Sequence, residues 1–361
     1  MIKLLIVDDS ALMRRLLGGI FAAQGDFVVE IARDGTEALA KLHSFGPDVI
    51  TLDIHMPGLD GLACLDRMMV DKPCPVVMVS SLTAEGANET LEAISLGAID
   101  FVEKPTGAVS IEIDRIAPTL VEKVRIASQA RLSRTHRLSE RLRRRNDPLR
   151  VLPPPAPRPR ATRAIKAPAG DGVVLVGSST GGPPALEALL CPLPADFPWP
   201  IVIAQHMPAT FTRALASRLD KICALTVVEV SSPARLLPGH AYIGRGDADV
   251  VLSRRPTGLM AMAAPSDSQY HWHPSVDRLV LSAMDHLAPE SLVGVLMTGM
   301  GADGAEAMSR LHGAGGRTIA EAEESAVVWG MPGALAKMGG AEFIVSLDRI
   351  AARLTQIVTA R

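Results

Sequence analysis

The sequence predicts an α/β protein built from two doubly wound parallel-sheet domains in tandem. Three observations carry that reading. Short β-branched runs alternate with segments of helical period; a stretch rich in arginine and proline interrupts the rhythm once; and the same alternation then resumes. Chemically active side chains stand at the ends of several apolar runs, where parallel strands with right-handed crossovers bring their C-terminal ends to one sheet edge.

In chain order, the first strands are expected at KLLIV (3–7), FVVEIA (27–32), DVITL (48–52), PVVMVS (75–80) and IDFV (99–102). Between them, Leu12-Met13-Leu16-Leu17-Ile20, Ala38-Leu39-Leu42, Leu62-Leu65-Met68-Met69 and Leu91-Ile94-Ser95 recur at i, i+3, i+4 spacing and read as helices covering both faces of a five-stranded sheet. A further helical pattern runs from about Ile116 to Leu142 and ends in arginines. Residues 131–150 hold eight arginines against Glu140 and Asp147, and Pro148, Pro153, Pro154, Pro155, Pro157 and Pro159 follow without apolar period, the signature of a linker whose arginines read either as a solvated stretch or as a basic surface for a partner. From about residue 172 strands return at GVVLVG (172–177), PIVIAQH (200–206), AYIG (241–244), VVLS (250–253) and SLVGVLMTG (291–299). The expected organisation is therefore a first domain at 1–125, a basic, proline-rich linker at 126–171 and a second α/β domain at 172–361.

Bulk composition excludes some classes of function. With 361 residues, 48% hydrophobic and 21% charged, there is material for two cores, and a net charge of −2 gives no global pull toward nucleic acid or an anionic membrane. Cys64, Cys74, Cys191 and Cys223 are scattered without metal-ligand spacing and read as thiols of a reducing compartment. Asp8 and Asp9 arrive before a signal-peptide core could form. No apolar stretch reaches the roughly 18 residues of a membrane span. A cytoplasmic protein without direct membrane insertion is expected.

Two clusters carry chemistry. Asp8 and Asp9 close the first strand, Asp53 the third, and Lys104 the fifth. Carboxylate oxygens suit Mg²⁺, with the His55 backbone carbonyl a further candidate ligand; the Lys104 ammonium and the Ser80 hydroxyl suit phosphoryl oxygens. Any one such aspartate could instead be a turn former or cap, as Asp9 or Ser10 could be for the helix that follows. The whole set, with Lys104-Pro105, points to a phosphorylation-operated switch.

VDDSALMRR, LDIHMPGLDGL, VVMVSS and GAIDFVEKP resemble two-component receiver domains of flavodoxin-like, five-stranded fold. The resemblance implies Asp53 as phosphoacceptor, Asp8 and Asp9 as Mg²⁺ ligands, Ser80 and Lys104 as phosphate sensors, Phe101 as the aromatic that follows the switch, and a histidine kinase as phosphodonor.

In the second cluster, Gly177-Ser178-Ser179-Thr180-Gly181 fits the G-x-S-x-G nucleophile elbow between a strand and a helix. Glycine turns before helices also bind phosphates, but the chain lacks a P-loop lysine, and the next strand ends in His206 rather than in a ribose-binding acid. SLVGVLMTGMGADG places Asp303 beyond a third strand. Serine, histidine and aspartate at three strand ends can meet in triad logic: His206 takes the proton of Ser179, and Asp303 orients the imidazole. His271 and His273 in YHWHPSVD offer a metal only two ligands, with no third placed beside them.

GSSTGGP, AQHMPATFTRALASRL, LLPGHAYIGRGD, HWHPSVDRL, VLMTGMGADGAEAM and WGMPGA, in that order, resemble the catalytic domain of chemotaxis protein-glutamate methylesterases, the CheB family. The order Ser, His, Asp also differs from the Ser, Asp, His of α/β-hydrolases. The resemblance implies Ser179 as nucleophile, His206 as base and acid, Asp303 as orienter, the Met300 N–H in an oxyanion hole and Thr180 lining the site, with no cofactor for the ester chemistry. Ser178, where the family often has alanine, sets a second hydroxyl beside the first; elbow geometry favours Ser179. Chemoreceptors are the implied substrate, through demethylation of glutamyl esters and deamidation of glutamines. An unphosphorylated receiver packed over the Ser179 crevice is the expected means of control. The competing reading is a non-enzymatic response regulator whose output domain binds a nucleotide or a protein partner; nothing after residue 171 forms a basic recognition helix.

Overall fold

The computed structural model describes residues 1–80, 83–104, 109–130 and 172–359, without the side chains of 84, 85 and 109–115. The chain divides into two compact units, with the break after Leu138. That break, and the expected linker from residue 131 onward, lie outside the described residues.

The first unit runs β1 (Ile2–Val7), α1 (Ala11–Ala22), β2 (Phe27–Ala32), α2 (Gly35–Ser44), β3 (Val49–Asp53), α3 (Gly61–Asp71), β4 (Val76–Ser80), α4 (Ala84–Leu96), β5 (Asp100–Glu103) and α5 (Val109–Ala127). Its sheet has the order β2-β1-β3-β4-β5 with every pairing parallel. β3 and β4 are buried along their whole length, which is why they read as unbroken apolar runs rather than alternating ones. Four helices start on side-chain caps: Ser10 accepts from the Met13 amide, Asp34 from Glu37, Asp60 from Ala63 and Thr83 from Gly86. α5 begins earlier than the helix expected from Ile116. Strand order reverses between β1 and β3, so Asp8, Asp9 and Asp53 flank the switch-point crevice of the sheet. Gly61 seats the start of α3 under that edge, since a Cβ there would lie 2.8 Å from the Ile54 Cα.

The second unit runs β6 (Val173–Ser178), α6 (Gly182–Leu190), β7 (Ile201–Gln205), α7 (Ala209–Ile222), β8 (Thr226–Val230), β9 (Ala234–Arg235), β10 (His240–Gly244), β11 (Asp249–Arg255), β12 (Gly258–Ala264), α8 (Val276–Met284), a 3₁₀ turn (Pro289–Ser291), β13 (Leu292–Leu296), α9 (Ala305–Gly313), β14 (Arg317–Glu321), α10 (Met331–Lys337), β15 (Phe343–Val345) and α11 (Leu347–Thr359). Seven parallel strands form the main sheet in the order β15-β14-β13-β6-β7-β10-β8. β6, β7 and β13 are wholly buried at its centre. Strand order reverses on either side of β6, so the ends of β13, β6 and β7 border one crevice.

One expected strand behaves differently from its neighbours. VVLS belongs to β11, which pairs with β12 in a separate antiparallel sheet completed by β9. Arg255 pairs with Gly258 across Pro256 and Thr257, and so short a connection joins only antiparallel strands. Two of the scattered cysteines also meet: the Sγ atoms of Cys191 and Cys223, at the C-terminal ends of α6 and α7, lie 3.2 Å apart. Burial pushes the Cys64 and Cys74 thiols up to about 12, which keeps both protonated and unreactive.

Candidate active site and phosphorylation site

In the first unit, carboxylate oxygens of Asp8, Asp9 and Asp53 lie within 4.8 Å of one another, Asp8 and Asp53 buried and Asp9 exposed. An all-oxygen, triply anionic donor set of this kind fits Mg²⁺. The Lys104 ammonium reaches into it, 2.6 Å from Asp53 Oδ2 and 3.1 Å from Asp8 Oδ2. Burial pushes the Asp53 carboxyl above its usual range, more than Lys104 pulls it down, and the Asp8 charge adds to the rise. Burial works against the Lys104 ammonium, but Asp53 and Asp8 outweigh it and hold its pKa above the ordinary value. Of the other expected residues, His55 donates its amide to Asp53 Oδ1 at 3.3 Å and turns its imidazole to Glu89 on α4 at 3.1 Å. The Ser80 hydroxyl donates to the Gly86 carbonyl at 3.3 Å, and Phe101 is buried beneath the Lys123 ammonium, 5.2 Å from its ring centroid.

In the second unit the elbow is held from several sides. The Ser179 amide donates to the Thr298 carbonyl at 3.0 Å, and the Ser179 carbonyl accepts from the Gly182 amide at 2.8 Å and from Gln205 Nε2 at 2.9 Å. Gly181 has φ +76°, and a Cβ there would meet Val327 Cβ at 2.8 Å, so the turn needs glycine twice over. Ser178 pairs in register with Gln205, which sets Ser179 and His206 at the next position on neighbouring strands. The Ser178 hydroxyl is fully buried and donates to Gln205 Oε1 at 2.7 Å, whereas among the described residues no such bond occupies the Ser179 hydroxyl.

His206 Nε2 lies 2.8 Å from Asp303 Oδ2, with the two side chains 3% and 9% exposed. His206 Nδ1 is buried and has no hydrogen-bond partner among the described residues. Asp303 also accepts from the Val276 amide (2.7 Å), the Asp277 amide (3.1 Å) and the Ser275 hydroxyl (3.0 Å), so it sits on the N-terminus of α8. Burial alone would raise its carboxyl; the His206 bond and charge, with the two amides, outweigh that and hold it below the usual range. Met300 is buried, and its amide donates to no group among the described residues. The Thr180 carbonyl accepts from the Thr298 hydroxyl at 2.9 Å.

Several neighbours of this centre were not legible in the sequence. Trp272 lies against His206 with ring centroids 5.1 Å apart and planes 12° from parallel. Asp277 accepts from the Ala307 amide at 2.9 Å and is pushed by burial to about 6. Glu321, buried at the end of β14, accepts from the Thr298 amide at 2.8 Å and the Ser325 hydroxyl at 3.0 Å, and burial pushes it to about 7. Trp272 lies in HWHP, whose two histidines lack a third metal ligand in the sequence. His271 contacts Trp272 edge-on and His273 bonds Asp249, and among the described residues Asp8, Asp9 and Asp53 are the only group close enough to share a metal. A cleft of about 340 Å³ opens beside the centre, lined by Tyr270, His271, Trp272, Ala302, Asp303 and Met338 among others.

Two α/β units, one ending its strands in an acidic trio with a lysine and the other in a serine elbow beside a His–Asp pair, define a response-regulated hydrolase architecture. Residues 4–113 match the response regulator receiver domain model and residues 174–354 the CheB methylesterase model. The chain is 54% identical over 358 residues, covering 99% of this chain and 98% of the relative, to the protein-glutamate methylesterase/protein-glutamine glutaminase 2 of Rhodopseudomonas palustris (strain BisB18). It is 52% identical to the corresponding protein 3 of Rhodospirillum rubrum, covering 98% and 95%. The crystal structure of the Thermotoga maritima CheB methylesterase catalytic domain aligns with a TM-score of 0.50 at 35% identity, covering 52% of this chain and 98% of that one. The chain belongs to the CheB methylesterase family.

Proposed function

We propose that the protein is a phosphorylation-activated protein-glutamate methylesterase and protein-glutamine glutaminase acting on chemoreceptors in the cytoplasm. The observation that carries this reading is the buried 2.8 Å contact between His206 and Asp303, at the register position beside Ser179. Because Asp303 takes Nε2, Nδ1 is the nitrogen that receives the Ser179 proton as Oγ attacks the γ-carbonyl. The oxyanion forms against the Met300 amide, and the proton passes from His206 to the departing methoxide, giving methanol and an acyl-enzyme. Water, deprotonated by the same imidazole, releases glutamate and restores Ser179. With a glutamine the leaving group is ammonia and the remaining steps are the same. Thr180 lines the site, and the engagement of Ser178 with Gln205 favours Ser179 as the attacking hydroxyl.

The assignment of 1–125 as receiver, 126–171 as linker and 172–361 as catalytic domain belongs to this proposal. Asp53 accepts a phosphoryl group from a histidine kinase. Mg²⁺, when bound, neutralises the converging negative charge; Asp8, Asp9, Asp53 and the His55 carbonyl would hold it. Lys104 and Ser80 meet the phosphoryl oxygens and Phe101 follows the switch. No helix among the described residues is long and apolar enough to cross a membrane. The test is methanol release from a methylated receptor fragment, with and without a small-molecule phosphodonor. Release stimulated by the donor is expected, and a wild-type protein that releases none overturns the reading.

A further inference from the structure

We infer that Trp272 is a positioning residue for His206, its indole face stabilising the imidazolium that forms when Ser179 gives up its proton. The inference rests on the esterase reading above and adds to it a side chain outside the Ser–His–Asp set. The near-parallel stack, 5.1 Å between centroids at 12°, puts the π face of the indole over the imidazole ring. Against a neutral imidazole such a stack supplies dispersion. Against an imidazolium it adds cation–π attraction, strongest for tryptophan among the aromatic side chains. Only that increment accelerates the reaction, because only interactions stronger in the charged state lower the barrier.

The loop carrying Trp272 is tied down on its C-terminal side. His273 Nδ1 lies 3.1 Å from Asp249 Oδ1, the Ser275 amide donates to the same oxygen at 2.8 Å, and Arg278 Nη1 pairs with Asp249 Oδ2 at 2.5 Å. Asp249 is itself buried at the start of β11. The indole is thereby held in place before any charge develops, and His271 adds a T-shaped contact at 4.7 Å.

Titratable groups among the described residues reach His206 through these contacts. Asp303 meets it from the loop before α9, and Asp277 stands behind Asp303 in the first turn of α8, engaged with the Ala307 amide. His271 lies beyond Trp272, and Glu321 lies beyond Thr298. β6 and β7 contribute the uncharged Ser178, Ser179 and Gln205. Asp303 supplies the principal charge; the indole acts on the opposite aspect of the ring chemistry, its face rather than its edge.

A π partner and a plain apolar cover make opposite predictions. A π face favours the charged ring, so its loss lowers the pH at which the base protonates; an apolar cover disfavours the charged ring, so uncovering it raises that pH. The experiment uses the full chain with Trp272→Leu, which keeps apolar bulk without a π face, and Trp272→Phe, which keeps a weaker one. The readouts are the acid limb of kcat/KM for methanol release and the NMR titration of the His206 imidazole in a Ser179→Ala background. Trp272→Leu is expected to move both midpoints down by roughly half a unit to one unit and to cut the plateau by about 3- to 10-fold, with Trp272→Phe in between. Midpoints that stay put or move up in Trp272→Leu overturn the inference. If Trp272→Leu does not fold, Trp272→Phe decides alone: a smaller downward shift supports the stack and no shift overturns it. A wild type that releases no methanol defeats the esterase reading, while the NMR titration still decides the role of the indole.

Discussion

In the first unit three carboxylates share a sheet edge with one lysine; in the second a single carboxylate, Asp303, collects four donors. Both sites use the same geometry, strand ends at a switch point, and they differ in how completely the charge is met. Lys104 contributes one positive charge to a trio carrying three negative ones, and Asp53 stays above its usual carboxylate range. Asp303, held by imidazole, hydroxyl and two helix-terminal amides, stays below it. On the proposed reading, an under-compensated cluster changes state when a cation and a phosphoryl group arrive. A fully compensated one is preorganised and keeps its shape while charge moves through its neighbour.

Weakening the better-satisfied site has the largest expected effect. Asp303→Asn keeps the shape but removes the charge facing His206 Nε2; on the proposed reading methanol release should fall by about 10⁴-fold, as loss of an orienting triad carboxylate can. A loss below tenfold would mean that the compensation seen around Asp303 is structural only.

Disabling the other site should act through control rather than chemistry. In Asp53→Asn the stimulation of methanol release by a phosphodonor should vanish. Equal stimulation in wild type and variant would show that the acidic trio does not operate the switch.

A smaller effect tests the ground beneath the second site. Glu321 has its folded pKa raised from 4.5 to about 7 by burial. The folded state therefore holds its proton through that window while the unfolded state loses it, and stability falls as pH rises from about 4.5 to about 7. Glu321→Gln cannot ionise, so it should be more stable than wild type at pH 8, by up to about 3 kcal/mol at roughly 1.4 kcal/mol per unit, and gain little at pH 4.5. Urea unfolding followed by tryptophan fluorescence reads the second unit alone, because Trp199, Trp272 and Trp329 all lie there. An equal difference at both pH values would contradict the account.

The parts legible in the sequence are those that parallel-sheet physics writes into short windows. β3 to β7 and β13 are buried almost throughout and stand out as apolar runs, and their ends could be read directly, which is how Ser179, His206 and Asp303 became candidates. β8 (TVVEV) and β14 (RTIAE) carry β-branched residues but fall outside the expected strands; the rest of what escaped has no local signal. β12 is GLMAMAA, small and flexible residues without β-branching, and β15 is three residues at an edge. The groups that hold Asp303 come from Ser275, Val276 and Asp277, on the N-terminus of a helix far upstream in the chain. Trp272 meets His206 across 66 positions of sequence, and nothing local to HWHP pairs the two rings. The competition between Ser178 and Ser179 could be framed from the motif, but the bond from Ser178 to Gln205 depends on strand register.

The central claim is that Ser179, and not its neighbour, attacks through the His206–Asp303 pair. Methanol release from a methylated receptor fragment by Ser179→Ala and Ser178→Ala, side by side, tests it most directly. The account predicts a loss of about 10⁴- to 10⁶-fold for Ser179→Ala and a loss of no more than about tenfold for Ser178→Ala, whose hydroxyl makes one buried hydrogen bond. Turnover that survives in Ser179→Ala and disappears in Ser178→Ala would contradict it.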